Sequence, residues 1–266
     1  MHGVNTGTGP DLGWYRPSPF PPSPRRGYEH RILSADPFIT RIQPRRPRGL
    51  KVLIHLDDDS EPFEVMLEAL ERSRLGVGDS LTGPDRHALL NHDADIRVRD
   101  AALNLLSYRA RTRAELRKRL RQKGFHPVRI DLCLDRLEDR GLIDDASVAA
   151  AFVRDRLRHR PKGRSALTAE LRTKGITQDL AHQTIDGVFD AERTSDHDLA
   201  RAAVEKWVAR QNPAVLEALI DDEWSDERQK VRRRLTSWLA RRGFGGGIRG
   251  DAVDHAIHLA IDRVGG

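Results

Sequence analysis

The sequence predicts a mainly α protein: three tandem three-helix repeats in an elongated body, preceded by a small β element and a disordered N-terminal tail. Three observations lead there. The segment LRQKGF at 120–125 returns as LRTKGI at 171–176 and as LARRGF at 239–244, and a helix ending that recurs at long intervals is the mark of a repeat architecture. Of the 266 residues, 38% are hydrophobic, 32% charged and only 5% aromatic, a balance that holds one or two modest cores under a large surface and favours helix over sheet. Nine of the 14 prolines lie before Leu50, which sets the N-terminal stretch apart from everything after it.

Residues 1–35 carry the densest proline patch, PSPFPPSPRRG at 17–27. They read as a disordered or polyproline-like tail, because such a composition buries too little apolar surface to offset the entropy of ordering. Residues 36–92 read as a small β/α extension. FITRIQ, KVLIHLDDD and PFEV are short β segments, with Val52, Ile54 and Leu56 alternating onto one face. VMLEALERSR follows as a helix, LGVGDSL at 75–81 as a loop, and a short helix is expected from Pro84 to Asn91. His55 stands beside Asp57, Asp58 and Asp59, but clustered aspartates between strands are ordinary turn formers, so no metal is expected there.

From about Ile96 onward the pattern is helical, divided as repeats at 93–142, 143–192 and 193–266. Gly124 and Gly175 are 51 residues apart, and at that offset Arg113, Leu116, Leu120, Lys123 and Phe125 map onto Arg164, Leu167, Leu171, Lys174 and Ile176. Gly175 and Gly243 are 68 apart, and the set continues as Arg232, Leu235, Leu239, Arg242 and Phe244. The third repeat therefore holds 17 extra residues between its first and second helices, roughly QNPAVLEALIDDEWSDE, which are expected to add a helix. Thr112 and Glu115 are spaced as a capping box at the start of the second helix. Gly124 then closes that helix in the left-handed conformation, with Lys123 suited to the negative end of the dipole. The third helix, HPVRIDLCLDRLEDRG, closes at Gly141, and Asp144 or Asp145 caps the next repeat.

Charge follows the same periodicity. The net charge is +6 and the pI about 9.8, so an anionic partner is expected: nucleic acid or an acidic protein surface. Residues 107–124 hold eight Arg or Lys against one Glu, and residues 154–174 hold eight against two acids. For any one arginine, a solvated helix surface with i,i+4 pairs accounts for the charge. That reading leaves out the return of Arg113, Arg164 and Arg232, and of Lys123, Lys174 and Arg242, at equivalent positions. Stacked repeats place such residues along one side. Together with Lys118, Arg121, Arg160, Lys162 and Arg172 they make a candidate basic track for a partner.

Catalytic patterns are missing from the sequence. There is no G-x-x-x-x-G-K-[ST] loop, and GFGGGIRG at 243–250 follows a helix rather than a strand. His255 and His258 are i,i+3 without a third ligand nearby in sequence. The single cysteine, Cys133, rules out an internal disulfide and reads as a small core hydrophobe. The first residues, MHGVNTGTGPDLGWY, have no apolar signal region, and no run of about 18 apolar residues occurs. A cytoplasmic protein without cofactor, metal or membrane span is expected.

YRARTRAELRKRLRQKGF followed by GLIDDASVAAAFVRDRLRHRPKGRSALTAELRTKGI resembles the core of the RecX family, regulators of the RecA recombinase. The resemblance covers 96–264, and ITRIQ with LGVGDSL is similar to the N-terminal β extension of longer members. Val148 stands where the family usually has an aromatic, and the insert lengthens the third repeat. The resemblance implies a curved, elongated monomer that lies in the helical groove of RecA filaments on DNA. It also implies inhibition of strand exchange and of RecA coprotease stimulation, and hence a role in recombinational repair and the SOS response without catalysis of its own. The charge by itself also fits a helix-turn-helix regulator or a nonspecific nucleic-acid binder.

Overall fold

A computed structural model describes residues 36–265 except 48 and 223; the expected tail at 1–35 lies outside the described residues. The chain begins with an antiparallel sheet in the order β1-β2-β3, formed by β1 (Ile39–Pro44), β2 (Lys51–Leu56) and β3 (Phe63–Met66). Ile42 pairs with Ile54, and Val52 with Val65. The alternation expected in β2 is realised: Val52, Ile54 and Leu56 are buried, and Ile39, Val65, Leu81 and Leu89 close over them. Helix α1 (Leu67–Ser73) follows directly.

The short helix expected from Pro84 to Asn91 is corrected by the structure. Helix α2 runs unbroken from Gly83 to Tyr108, because NHDADIRVRD offers no glycine or proline to stop it and Thr82 and Pro84 give only its start. The expected division at 92/93 therefore falls inside one helix. Its first half packs Leu89 and Ile96 onto the sheet, and its second half contributes Val98 and Ala102 to the first helical core. Buried Asp93, at the middle of α2, accepts from the Met66 amide at 2.7 Å and from Arg97 Nε at 2.7 Å. That carboxylate fastens the sheet to the helix shared with the repeats.

Three tandem three-helix units follow. The first uses the end of α2 with α3 (Arg113–Gln122) and α4 (Pro127–Asp139). The second is α5 (Asp145–His159), α6 (Arg164–Thr173) and α7 (Gln178–Ala191). The third is α8 (Asp196–Val208), α10 (Asp226–Arg241) and α11 (Gly246–Gly265), with the insert supplying α9 (Pro213–Ile220) and the first turn of α10. Leu116 and Leu120, Leu167 and Leu171, and Leu235 and Leu239 are all fully buried. The first unit keeps a core of its own, whereas the second and third share one continuous core.

The recurring L-x-x-[KR]-G ending is a helix stop made the same way three times. Gly124, Gly175 and Gly243 have φ of +86°, +83° and +85°. Each glycine amide donates to the carbonyl three residues back, and the next amide (Phe125, Ile176, Phe244) donates to Leu120, Leu171 or Leu239. This paired closure satisfies carbonyls that the helix end would leave open.

Candidate basic interface at the repeat junctions

The middle helices of successive units meet end to end. At the first joint the Thr112 hydroxyl, at the N-terminus of α3, donates to the Lys174 carbonyl at the end of α6 (2.7 Å). At the second, the Gly163 amide at the start of α6 donates to the Arg242 carbonyl at the end of α10 (2.9 Å). Thr112 and Gly163 are register equivalents, as are Lys174 and Arg242, so one joint is built twice. Each sets the positive end of one helix against the negative end of the next.

Only half of the expected capping box at Thr112 and Glu115 forms. The Thr112 oxygen accepts from the Glu115 amide at 3.1 Å, but the Glu115 carboxylate does not return to Thr112. It accepts from Arg109 Nη1 at 3.1 Å and lies 3.4 Å from Lys174 Nζ across the joint. Burial pushes this carboxyl up, yet the Arg109 hydrogen bond and the Lys174 charge outweigh it and hold the group below the usual carboxylate range. The reciprocal box occurs instead at Ser195 and Asp198, at the start of α8.

The candidate cations separate into three groups. Arg113 and Arg164 are brackets within their units: Arg113 pairs with Asp135 and Glu138 of α4, and Arg164 with the equivalent Asp186 of α7 while lying 4.2 Å over the Phe189 ring. Their backbone amides donate to Asp145 and Asp196, at the first helix of the following unit, at 2.8 and 3.1 Å. Asp145, left as an alternative cap, thus joins two units, while Asp144 caps α5 through the Ser147 amide. Arg232 makes no matching pair among the described residues; in the third unit it sits nearly two turns inside the longer α10.

Lys174 and Arg242 are joint residues. Lys174 reaches Glu115 and lies 4.9 Å over the Phe152 ring; Arg242 donates to the Pro161 carbonyl at 3.0 Å and lies 4.1 Å over Trp238. Lys162 pairs with Glu170. The remaining candidates, Lys118, Arg121, Lys123, Arg160 and Arg172, are exposed and make no ion pair among the described residues. Gly124, at the end of α3 and at neither joint, has no atom within 4 Å of where a Cβ would stand.

Each joint carries a cleft. The first, about 430 Å³, brings Lys118, Arg172 and Lys174 together with Arg109, Arg119 and Glu115. The second, about 690 Å³, gathers Arg160, Lys162 and Arg242 from the candidate set. Arg210, Arg234 and Arg241 also line it and were not singled out from sequence, since they are not repeat equivalents of one another. Arg121, Lys123 and Arg232 line neither cleft, and the bracketed Arg113 and Arg164 stand apart from both.

Other titratable residues are absorbed by local structure. His258 Nδ1 donates to the Asp254 carbonyl at 2.8 Å, and His255 lies 3.5 Å from Glu205. Burial pushes the Cys133 thiol up. Among the described residues no group of three or more His, Cys, Asp or Glu is placed to hold a metal ion, and no helix is long and apolar enough to cross a membrane.

Fold and joints together define a tandem three-helix-repeat protein with basic clefts where its units meet. Models of RecX match in two places: the first three-helix domain at residues 99–137 and the second at residues 144–185. The regulatory protein RecX of Mycobacterium sp. (strain KMS) is 36% identical over 184 residues, 69% of this chain and 92% of that protein. That of Mycolicibacterium vanbaalenii is 37% identical over 167 residues, 62% of this chain and 84% of that protein. A crystal structure of regulatory protein RecX superposes with a TM-score of 0.60 at 24% identity, covering 82% of this chain and 99% of the other, which supports the fold. The chain belongs to the RecX family of regulatory proteins.

Proposed function

We propose that this chain regulates the RecA recombinase as a RecX-type modulator. It binds RecA filaments assembled on DNA through the basic faces of its joints, contacting DNA directly or through the filament. By doing so it restrains strand exchange and coprotease stimulation, and thereby recombinational repair and the SOS response. In this reading it works as a cytoplasmic monomer and catalyses no reaction of its own.

The observation that carries the reading is the repetition of a basic cleft at consecutive joints in a chain of this family. A helical filament presents the same subunit surface at regular steps, and a repeat protein presents its cations at regular steps. Several weak contacts then add through effective concentration, without a deep site. The same cations favour a second reading, direct nucleic-acid binding independent of the recombinase. Co-sedimentation with RecA–DNA filaments, with RecA alone and with DNA alone separates the two. Retention by filaments well beyond that by DNA alone is expected; equal retention by naked DNA leaves only the second reading.

A further inference from the structure

The two joints are built on one register but differ in their charges. At the first, Glu115 stands between Arg109 and Lys174. The equivalents of Arg109, Glu115 and Lys174 at the second joint are Arg160, Ala166 and Arg242. Both cations are kept and the carboxylate between them is gone.

One turn further along α6 stands Glu170, but it is taken up by Lys162 and Arg156. Seven Lys or Arg side chains line the cleft, and no Asp or Glu does. Protein acceptors account for three of the seven: Lys162 pairs with Glu170, Lys206 donates to the Arg158 carbonyl at 3.0 Å, and Arg242 donates to the Pro161 carbonyl. Arg160, Arg210, Arg234 and Arg241 make no ion pair among the described residues. The C-termini of α5, α8 and α10 come together here, but each helix end contributes only about half a negative charge. They fall well short of the unmatched guanidinium groups. Burial above all, and then the charges of Arg210 and Arg160, push the Arg242 guanidinium below its ordinary value.

We propose that the cleft between the second and third units binds a phosphate-class oxyanion among its unmatched guanidinium groups. Guanidinium forks take phosphate oxygens two at a time, and a cavity of about 690 Å³ admits more than one phosphate. The ligand is therefore a run of phosphates, supplied either by the backbone of a nucleic-acid strand or by the polyphosphate of a free nucleotide. This site does not rest on the RecA reading, and its test contains no recombinase, so either can fail without the other.

The test uses the full chain with two probes: inorganic tripolyphosphate, followed by thermal unfolding, and a labelled oligo-dT strand, followed by fluorescence anisotropy. Tripolyphosphate should raise the melting temperature of the parent, since a ligand of the folded state stabilises it by mass action. Joint replacement of Arg210, Arg234 and Arg241 by Gln should weaken tripolyphosphate binding about tenfold or more, or about 1.4 kcal/mol. Gln at the exposed, off-cleft Arg46, Arg140 and Arg201 should change it less than about twofold. Arg234→Glu, which sets a carboxylate among the cleft arginines, should abolish the tripolyphosphate response; if the Arg234→Glu variant does not fold, the arginine set decides alone. Displacement of bound oligo-dT by tripolyphosphate, with a salt slope about 2 lower in the cleft variant, identifies a strand backbone as the occupant. Tripolyphosphate binding without such competition identifies a free polyphosphate. No melting shift in the parent, or equal losses from the cleft and off-cleft sets, overturns the proposal.

Discussion

Gly124 and Gly175 have the same backbone conformation, with φ of +86° and +83°, and the same pair of closing hydrogen bonds, yet they face different surroundings. A Cβ at Gly124 would meet no atom within 4 Å, whereas one at Gly175 would overlap the Ala114 Cβ across the first joint. Alanine at either site carries the left-handed penalty of roughly 1–2 kcal/mol, partly offset by a stiffer unfolded chain. At Gly175 it must also force the joint apart, an overpacking cost of roughly 1–3 kcal/mol. Gly124→Ala should therefore destabilise by about 1 kcal/mol and Gly175→Ala by about 2–4 kcal/mol. In thermal unfolding followed by circular dichroism, the two should separate by on the order of 5 °C. Gly175→Val, with a branched side chain, should lie lower still. Equal melting temperatures for Gly124→Ala and Gly175→Ala would show that the close approach at the first joint does not exist in solution.

Asp93→Ala leaves the Met66 amide and Arg97 without the carboxylate that joins them, and should cost about 1–3 kcal/mol, read in urea unfolding; a loss under a few tenths of a kcal/mol would contradict the role of Asp93 as the fastening between sheet and α2. Glu115 titrates below the usual carboxylate range in the folded chain, so its contribution is fully present above about pH 4.3, its ordinary value, and is lost as pH falls through the lower folded value. The difference in melting temperature between parent and Glu115→Gln should accordingly be present at neutral pH and close below about pH 4; a difference that persists undiminished in acid would remove the carboxylate bridge from the account.

What the sequence made legible was whatever depends on neighbours along the chain. The alternation of Val52, Ile54 and Leu56 was enough for a half-buried strand, and the buried leucines ahead of Gly124, Gly175 and Gly243 were enough for three helix stops, because both patterns are local. The running-on of α2 was hidden because a stop was expected where no residue imposes one. The fate of Glu115 was hidden for a different reason: its capping partner is three residues away, but its competitor, Lys174, is 59 residues away and visible only once the units are joined. Arg113 and Arg164 recur because each brackets an equivalent aspartate, Asp135 and Asp186. That motive could have been read by carrying the 51-residue offset over to the acids as well as the bases. Arg210, Arg234 and Arg241 lie at positions of the third unit without repeat equivalents in the candidate set, so periodicity had no means to collect them.

Matched charge reversal tests most directly whether the joints are, as proposed, the surface that meets the recombinase filament. One variant carries Glu in place of Lys118, Arg172, Arg160 and Arg210, four of the exposed cations of the two clefts. The other carries Glu in place of Arg41, Arg46, Arg140 and Arg201, exposed and away from both joints. Each reversal subtracts two charges, so both variants move from the +6 of the parent to about −2 and bulk electrostatics are matched. Co-sedimentation with RecA filaments on single-stranded DNA, across a salt series and with circular dichroism to verify folding, gives the answer. The account predicts that the joint variant loses filament binding and most of its salt dependence while the off-joint variant keeps both; equal loss from the two would contradict it.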